Sequence, residues 1–535
     1  MRKTSALLAG TILLSLGGTP LRAQKAAEPV IALPLPPELA ADFSPARSAP
    51  PPAPTAPQAV LLQPGAAELK AALVDWVKAA PAQRREREAI AAFYAGRDQA
   101  PLWLADGRWT AAAQAVLARL ETAGDDGLDL RATPSPQGAS TAGELALSEA
   151  AVAYGRQASG GRVDPQRISI LITVKPEMAE PARILADLSA AGGDAGEVLQ
   201  AFNPPHRGYQ VLRRKLGELR RATQPRGGEA IAAGPILRIG MRDARVPLLR
   251  ARFGLDSAGP DDAYDPRIAA EIADFQRANG LPASGILTSR TVAALAGGET
   301  SRLENEIVAN MERWRWLPRD LGAKHIEVNI PDFTVKVMDG GKLLHQARVV
   351  VGKPDTPTPI FSNTMQFLIV NPYWSVPQSI IKKEKLPRLA LDPDYLRRLG
   401  YEVVHRGNAI FVRQPPGERN ALGRIKFMFP NDHAVYLHDT PSRALFASDK
   451  RAYSHGCVRV DQPFKLAEIL LGPAWNETKL QSLIGGPERT VRLPQPLPIH
   501  IEYFTASVDE SGRLLLRDDI YGYSKRLKLA LGLER

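Results

Sequence analysis

Cysteine is almost absent from this chain: one residue, Cys457, in 535. A lone thiol has no partner within the chain, which excludes a disulfide framework and leaves the residue in need of another reason. Beyond the first two dozen residues no stretch offers ~20 continuous apolar residues, so a membrane-spanning helix in the mature chain is excluded as well. Internal repeats are missing, and 44% hydrophobic with 23% charged residues is neither a disordered nor a fibrous composition. Acidic residues are the scarcer charge, 57 against 68 Lys and Arg, for a net charge of +11. The basic surplus is scattered. It suits weak, salt-screened attraction to an anionic wall or membrane surface and argues against nucleic acid as a partner.

What is present divides into several units, as expected of a chain longer than the ~250 to 300 residues over which one core keeps growing. Arg2 and Lys3 precede an apolar run from Ala6 to Leu16 and then small residues, the pattern of an export signal over 1–23, cleaved after Ala23. The expected location is therefore the periplasm. Residues 24–66, rich in Ala and Pro, read as an extended linker. Over 67–222 apolar residues recur at helical spacing (Leu69, Leu73, Trp76, Val77; Leu117, Leu120, Leu128), which predicts a helical domain. Over 235–296 three short helices are expected. One follows Asp243 and carries Val246, Leu249 and Phe253. One is capped by Asp265 before Pro266, carries Ile268, Ile272 and Phe275, and is stopped by Asn279-Gly280. The third starts near Thr288 with Val292 and Leu295.

Beyond Glu299 the texture becomes β. Ile326, Val328 and Ile330, then Phe333, Val335 and Val337, alternate with polar residues, and Asp339-Gly340 supplies a hairpin turn before Leu343 to Val351. Further strands are expected at Met365 to Val370, Ala409 to Arg413, Ala434 to His438 and His500 to Ser507. A charged, Pro-containing stretch, 379–422, interrupts them as an insertion within a domain spanning 324–505, leaving 506–535 as a C-terminal extension.

The chemistry concentrates at His438-Asp439-Thr440 and Tyr453-Ser454-His455-Gly456-Cys457-Val458-Arg459. A thiol is a weak nucleophile until ionised, and a histidine beside it is the minimal kit for acyl transfer. Gly456 lets the backbone come close to a substrate. Inert packing of Cys457 is the bland alternative, disfavoured by export and by its polar flanks. A zinc site of His433, His438, His455 and Cys457 is disfavoured because short structural zinc motifs carry more cysteines.

The His438 to Arg459 stretch resembles the signature of the YkuD-type L,D-transpeptidase catalytic domain. Val351-Gly352-Lys353-Pro354-Asp355-Thr356-Pro357-Thr358-Pro359 and Asn371-Pro372-Tyr373-Trp374-Ser375-Val376-Pro377 resemble other segments of that domain. The bundle at 235–296 resembles a peptidoglycan-binding module. With Phe93-Tyr94, Pro101-Leu102-Trp103 and Gly160-Gly161-Arg162-Val163-Asp164-Pro165, the chain resembles the large multidomain branch of the family. The resemblance implies a multidomain α+β protein: a mainly β catalytic domain, a mixed β-sandwich, beside a helical scaffold and a three-helix peptidoglycan-binding domain.

By the same resemblance Cys457 is the nucleophile and His438 the base, oriented by a backbone oxygen near Asp439. His455 either helps activate the thiol or lines the oxyanion site, to which Gly456 and Cys457 N–H groups would donate. Arg459 either pairs with a stem-peptide carboxylate or forms an internal salt bridge. Trp374, Tyr373 and Tyr436 either wall the donor pocket or belong to the core. The implied reaction is a 3→3 cross-link on tetrapeptide stems with loss of D-alanine and with a diamino acid as acceptor. The alternatives are an L,D-carboxypeptidase or endopeptidase, or a wall-anchoring scaffold. No cofactor or metal is implied. The expected partners are peptidoglycan stem peptides, other cell-wall synthesis proteins, and carbapenem β-lactams as covalent inhibitors.

Overall fold

The computed structural model describes residues 65–534 apart from 224–230, 233, 257–259, 279–280, 296–297 and 407–408. The export segment, nearly all of the linker and the Asn279-Gly280 helix stop lie outside the described residues.

The N-terminal half is helical because its apolar residues keep the helical period and its helix starts carry caps. Thr110 accepts the Ala113 N–H ahead of Ala111–Glu121, and Ser140 accepts the Gly143 N–H ahead of Thr141–Gly160. The latter helix is buried around most of its circumference and forms the centre of this unit. Its Glu144 is fully enclosed and is satisfied by the Tyr94 hydroxyl at 2.7 Å and by the N–H groups of Leu102 and Trp103 at 2.5 and 3.0 Å. Trp103 Nε1 donates to Ser148 at 2.8 Å. The Phe93-Tyr94 and Pro101-Leu102-Trp103 segments thus meet on one buried carboxylate.

The Gly160 to Pro165 segment is a junction. Gly161 has φ 87°, and a Cβ there would stand 2.7 Å from Glu312 Oε1, the atom that accepts the N–H groups of Arg162 and Val163 at 2.5 and 2.9 Å. Asp164 then caps a short turn that begins at Pro165. Glu312 lies on a 17-residue helix, Gly298–Trp314, in a region the sequence analysis did not read as helical. The reason lies in its buried face, which mixes Ile307, Val308 and Met311 with the enclosed polar residues Asn310, Glu312 and Arg313, so the apolar period is diluted.

Three short helices, Val246–Phe253, Pro266–Ala278 and Ser289–Leu295, share a separate core that includes Val246, Leu249, Ile268, Ile272, Val292 and Leu295. Asp265 accepts the Arg267 and Ile268 N–H groups, and Thr288 accepts that of Thr291. Asp243 accepts the Arg245 N–H instead of capping directly, since Arg245 occupies the boundary position.

The large sheet of the C-terminal half has nine strands: β1 Lys324–Asn329, β2 Thr334–Asp339, β3 Lys342–Gly352, β4 Phe361–Val370, β5 Ile425–Met428, β6 Leu437–His438, β7 Ala452–Ser454, β8 Val458–Val460 and β9 Arg489–Glu502. Their order is β7-β3-β8-β6-β5-β4-β9-β1-β2, and β2 also pairs with β3, so eight strands close on one another. Closure is possible because β3 is long: residues 342–348 pair with β2, and Val349 and Val350 pair with β8. Inward residues Ile326, Val328, Val335, Val337, Val349, Val351, Leu368, Phe427, Val458 and Ile499 form the core. Two expectations need correction. The expected strand Ala434 to His438 is only two residues long, because Ala434 takes φ 53° in a turn held by Asn431. The closing strand starts at Arg489 instead of His500, and Ala506–Val508 instead pairs with Leu514–Leu516 in a separate hairpin. The C-terminal extension is packed: Tyr521, Tyr523 and Leu527 enter the sheet core, and Tyr521 donates to the Gly352 carbonyl at 2.7 Å.

The insertion has its own small core of Val376, Ile380, Ile381, Leu396 and Val412. Its strands Glu402–Arg406 and Ala409–Gln414 pair with each other, and the latter pairs with Trp374–Ser375. The Trp374 to Val376 segment therefore belongs with the insertion, just ahead of the expected start at 379.

Candidate functional site

The site is built where β8 begins. The turn Ser454 to Cys457 links β7 to β8. Gly456 adopts φ 116°, a conformation open to glycine and strained for other residues. Ser454 Oγ closes the turn by accepting the Gly456 N–H at 3.1 Å and donating to the Cys457 carbonyl at 2.5 Å. Thr358 Oγ1 donates to the Gly456 carbonyl at 2.8 Å, and Lys353 N–H donates to the Ser454 carbonyl at 3.0 Å. The Val351 to Pro359 segment thus buttresses the turn. The Gly456 N–H is engaged by Ser454, whereas the Cys457 N–H has no partner among the described residues.

Cys457 is half-buried, and burial raises its thiol above the ordinary value; the Tyr436 N–H and hydroxyl beside the sulfur, then Lys426 and Arg459, act in the opposite direction. The Ala434 carbonyl stands 4.0 Å from Sγ. Parallel pairing sets Leu437 opposite Val458 and His438 opposite Arg459, so the two motifs singled out in the sequence are neighbours across β6 and β8.

His438 is buried, with Nδ1 2.5 Å from the Asp439 carbonyl. A carbonyl only accepts, so Nδ1 carries the proton and Nε2 the lone pair. The ring also lies within hydrogen-bonding reach of the Leu422 backbone at the end of the insertion. Burial, then Arg459 and Lys426, push the imidazole down to about 3, so it is neutral across the physiological range. The Asp439 side chain secures the loop: Oδ2 accepts the Arg424 N–H at 2.8 Å, Oδ1 the Thr440 N–H at 2.7 Å, and Arg443 pairs with it at 2.5 Å.

Tyr436 is the aromatic beside the sulfur, where its hydroxyl acts on the Cys457 thiol, and its ring lies 5.7 Å from that of His438. Tyr373 stands apart. It is exposed, its ring covered by the Arg413 guanidinium at 4.8 Å and its N–H bound to Glu488 at 2.7 Å. His455 turns outward, its Nε2 2.6 Å from Glu384 of the insertion. Arg459 has no carboxylate partner among the described residues, and its Nε is buried without a hydrogen bond, so the internal salt bridge is not formed. His433 is bound to Thr173 at 2.8 Å. The sequence analysis passed over Lys426 on β5, whose ammonium sits 3.9 Å from the centre of the Tyr436 ring; a lysine in an alternating strand reads as an outward, solvated residue.

Comparison with known families decides what this arrangement belongs to. The profile of the L,D-transpeptidase catalytic domain, YkuD, matches residues 323–484. This is a YkuD-type domain. A scaffold domain matches 88–216 and a peptidoglycan binding domain matches 251–295. A Haemophilus influenzae protein provisionally named an L,D-transpeptidase is 33% identical over 249 residues, 43% of this chain and 50% of the relative, so the match spans about half the length of that protein. An L,D-transpeptidase from Mycobacterium smegmatis is 16% identical over 34% of this chain and 58% of its own, with a TM-score of 0.19. L,D-transpeptidase 3 from Mycobacterium tuberculosis, in complex with a faropenem-derived adduct, is 12% identical over 34% and 60%, with a TM-score of 0.19. The Ser454 to Cys457 turn, His438 and the insertion described above all lie within 323–484.

Proposed function

We propose that this chain is a periplasmic enzyme that joins peptidoglycan stems by 3→3 cross-links through a Cys457 acyl-enzyme. The observation that carries the reading is the register of β6 against β8. It brings a partly accessible thiol and a neutral, carbonyl-oriented imidazole to adjacent positions, with a free main-chain N–H beside them.

The thiol gives its proton to His438 Nε2 as the sulfur attacks the carbonyl between the third residue and the terminal D-alanine of a tetrapeptide stem. Negative charge on the carbonyl oxygen is met by Cys457 N–H. The C–N bond breaks, the imidazolium returns its proton to the leaving amine, and D-alanine departs, leaving a thioester. The amine of a diamino acid on a second stem then attacks that thioester, giving its proton to His438, and the thiol is regenerated. The unpaired Arg459 guanidinium suits a stem carboxylate. A β-lactam of the carbapenem class, presenting a strained amide to the same sulfur, would acylate it. The bundle at 251–295 would hold the chain to its polymer.

Purified chain and a Cys457→Ala variant, incubated with tetrapeptide muropeptides and followed by intact mass and product analysis, test this. A cross-linked dimer with released D-alanine, from the unsubstituted chain alone, is expected. Tripeptide without dimer would replace cross-linking by L,D-carboxypeptidase activity, and turnover by the Cys457→Ala variant would remove the thiol from the chemistry.

A further inference from the structure

A sulfur that must carry negative charge in a partly buried site needs positive potential near it, and the usual source is a neighbouring imidazolium. That source is missing here. His438 is enclosed and stays neutral, and the His455 ring is committed to Glu384. Two other cations face the sulfur: Arg459 from β8 and Lys426 from β5.

Lys426 is the more telling, because nothing else explains its position. It stands opposite His438 in the antiparallel β5–β6 pair, half-buried, with its ammonium on the face of Tyr436. No carboxylate lies within ion-pair distance of it among the described residues; Glu488 acts on it from farther away and is itself bound to the Tyr373 N–H. Holding an uncompensated ammonium partly out of water is costly, and one aromatic face returns only a part of that cost. The ring beneath it belongs to the residue that lies beside Cys457 across the parallel pairing, where Val458 N–H donates to the Tyr436 carbonyl. A cation over a phenol makes its O–H a stronger donor, and the stronger donor favours an anionic acceptor.

We propose that Lys426 is a positioning residue for the cysteine chemistry: seated on Tyr436, it supplies through that ring the positive charge that stabilises the Cys457 sulfur anion. The groups facing the sulfur are then assigned by element. Lys426 from β5 and Arg459 from β8 furnish charge; Tyr436, just ahead of β6, and His438 from β6 furnish a proton donor and a proton acceptor. Glu384 binds the His455 ring at the rim, and Glu488 remains the distant counter-charge. The proposal concerns the same thiol as the cross-linking reading, and its test needs no peptidoglycan substrate.

Because Cys457 is the only thiol in the chain, iodoacetamide reports on it alone. Alkylation rates of the full chain, measured from about pH 6 to about pH 10, are expected to show Lys426→Gln displaced by about one unit to higher pH and about tenfold slower at neutral pH. Lys426→Arg should restore most of the rate. Repeating the pair in a His438→Gln background removes any contribution from the imidazole. Four results overturn the proposal: an unchanged alkylation profile, which detaches Lys426 from the sulfur; faster alkylation, which makes its role the suppression of His438 charge; a displacement seen only when His438 is present; or equal loss in the Arg and Gln variants with a lowered melting point, which makes it a packing residue. Failure of the cross-linking reading would appear in the muropeptide products and leave the alkylation profile as it is.

Discussion

An imidazole that is hard to protonate has a cost away from catalysis. His438 is held at about 3 in the folded chain, whereas an unfolded histidine takes up its proton near 6.5. The unfolded state therefore binds the extra proton first. The group's contribution to stability is complete above about pH 6.5 and is lost as the pH falls from there toward 3, at up to ~1.4 kcal/mol per pH unit. Replacing His438 by Gln removes that dependence while His206, His345 and His500, also held low by burial, titrate alike in both proteins. Urea melts between pH 7 and pH 5 are expected to show the unsubstituted chain losing about 1 to 2 kcal/mol more than the variant. The same reasoning predicts no activity limb near pH 6.5 from this base. The rise in rate with pH should instead follow the thiol, which burial has moved up.

Among the elements, the insertion has a core of its own, and it touches the Ser454 to Cys457 turn through Glu384 and His455. Both side chains are partly exposed, so the pair contributes little to overall stability, of the order of 0 to 1 kcal/mol. Glu384→Gln is expected to leave the global melt nearly unchanged while hydrogen exchange over 379–422 accelerates; an unaltered exchange pattern would show that the tie does not hold the insertion down. How far elements could be read from sequence follows from how cleanly their faces separate. The alternation from Ile326 to Val337 was legible because each second residue enters the closed sheet. The helix carrying Glu312 was not, because its buried face is half polar. Cys457, His438 and the orienting carbonyl region could be located from their motif, yet the commitment of Gly456 N–H to Ser454 depends on a turn geometry that no spacing reveals. Lys426 was missed for a related reason: what singles it out is the ring beneath it and the absent counter-ion, both of which are tertiary facts.

For the molecule as a whole, the decisive contacts are those between its helical and β halves. Glu312 is fully enclosed, accepts two N–H groups of the Gly161 to Val163 segment and pairs with the equally enclosed Arg315 at 3.4 Å. Glu312→Ala would strand two donors and a guanidinium, a loss expected to reach about 3 to 5 kcal/mol, measured by denaturant unfolding of the full chain. A single cooperative transition that merely shifts would mean the halves unfold together; a split transition would mean this residue is what couples them.

The apolar core of the closed sheet takes in Val163, Ile168, Ile172 and Val174, which come from the far side of the three-helix bundle in the chain, and Ile172 bridges directly to Ile360. The start of homology at residue 323 is therefore no seam along which the protein comes apart. A fragment cut there would open a greasy wound along Ile360, and the surface best able to dress it would be another copy of itself. The bundle between 231 and 295 keeps its core to itself and is portable; the helical shoulder and the catalytic ring have to be inherited together.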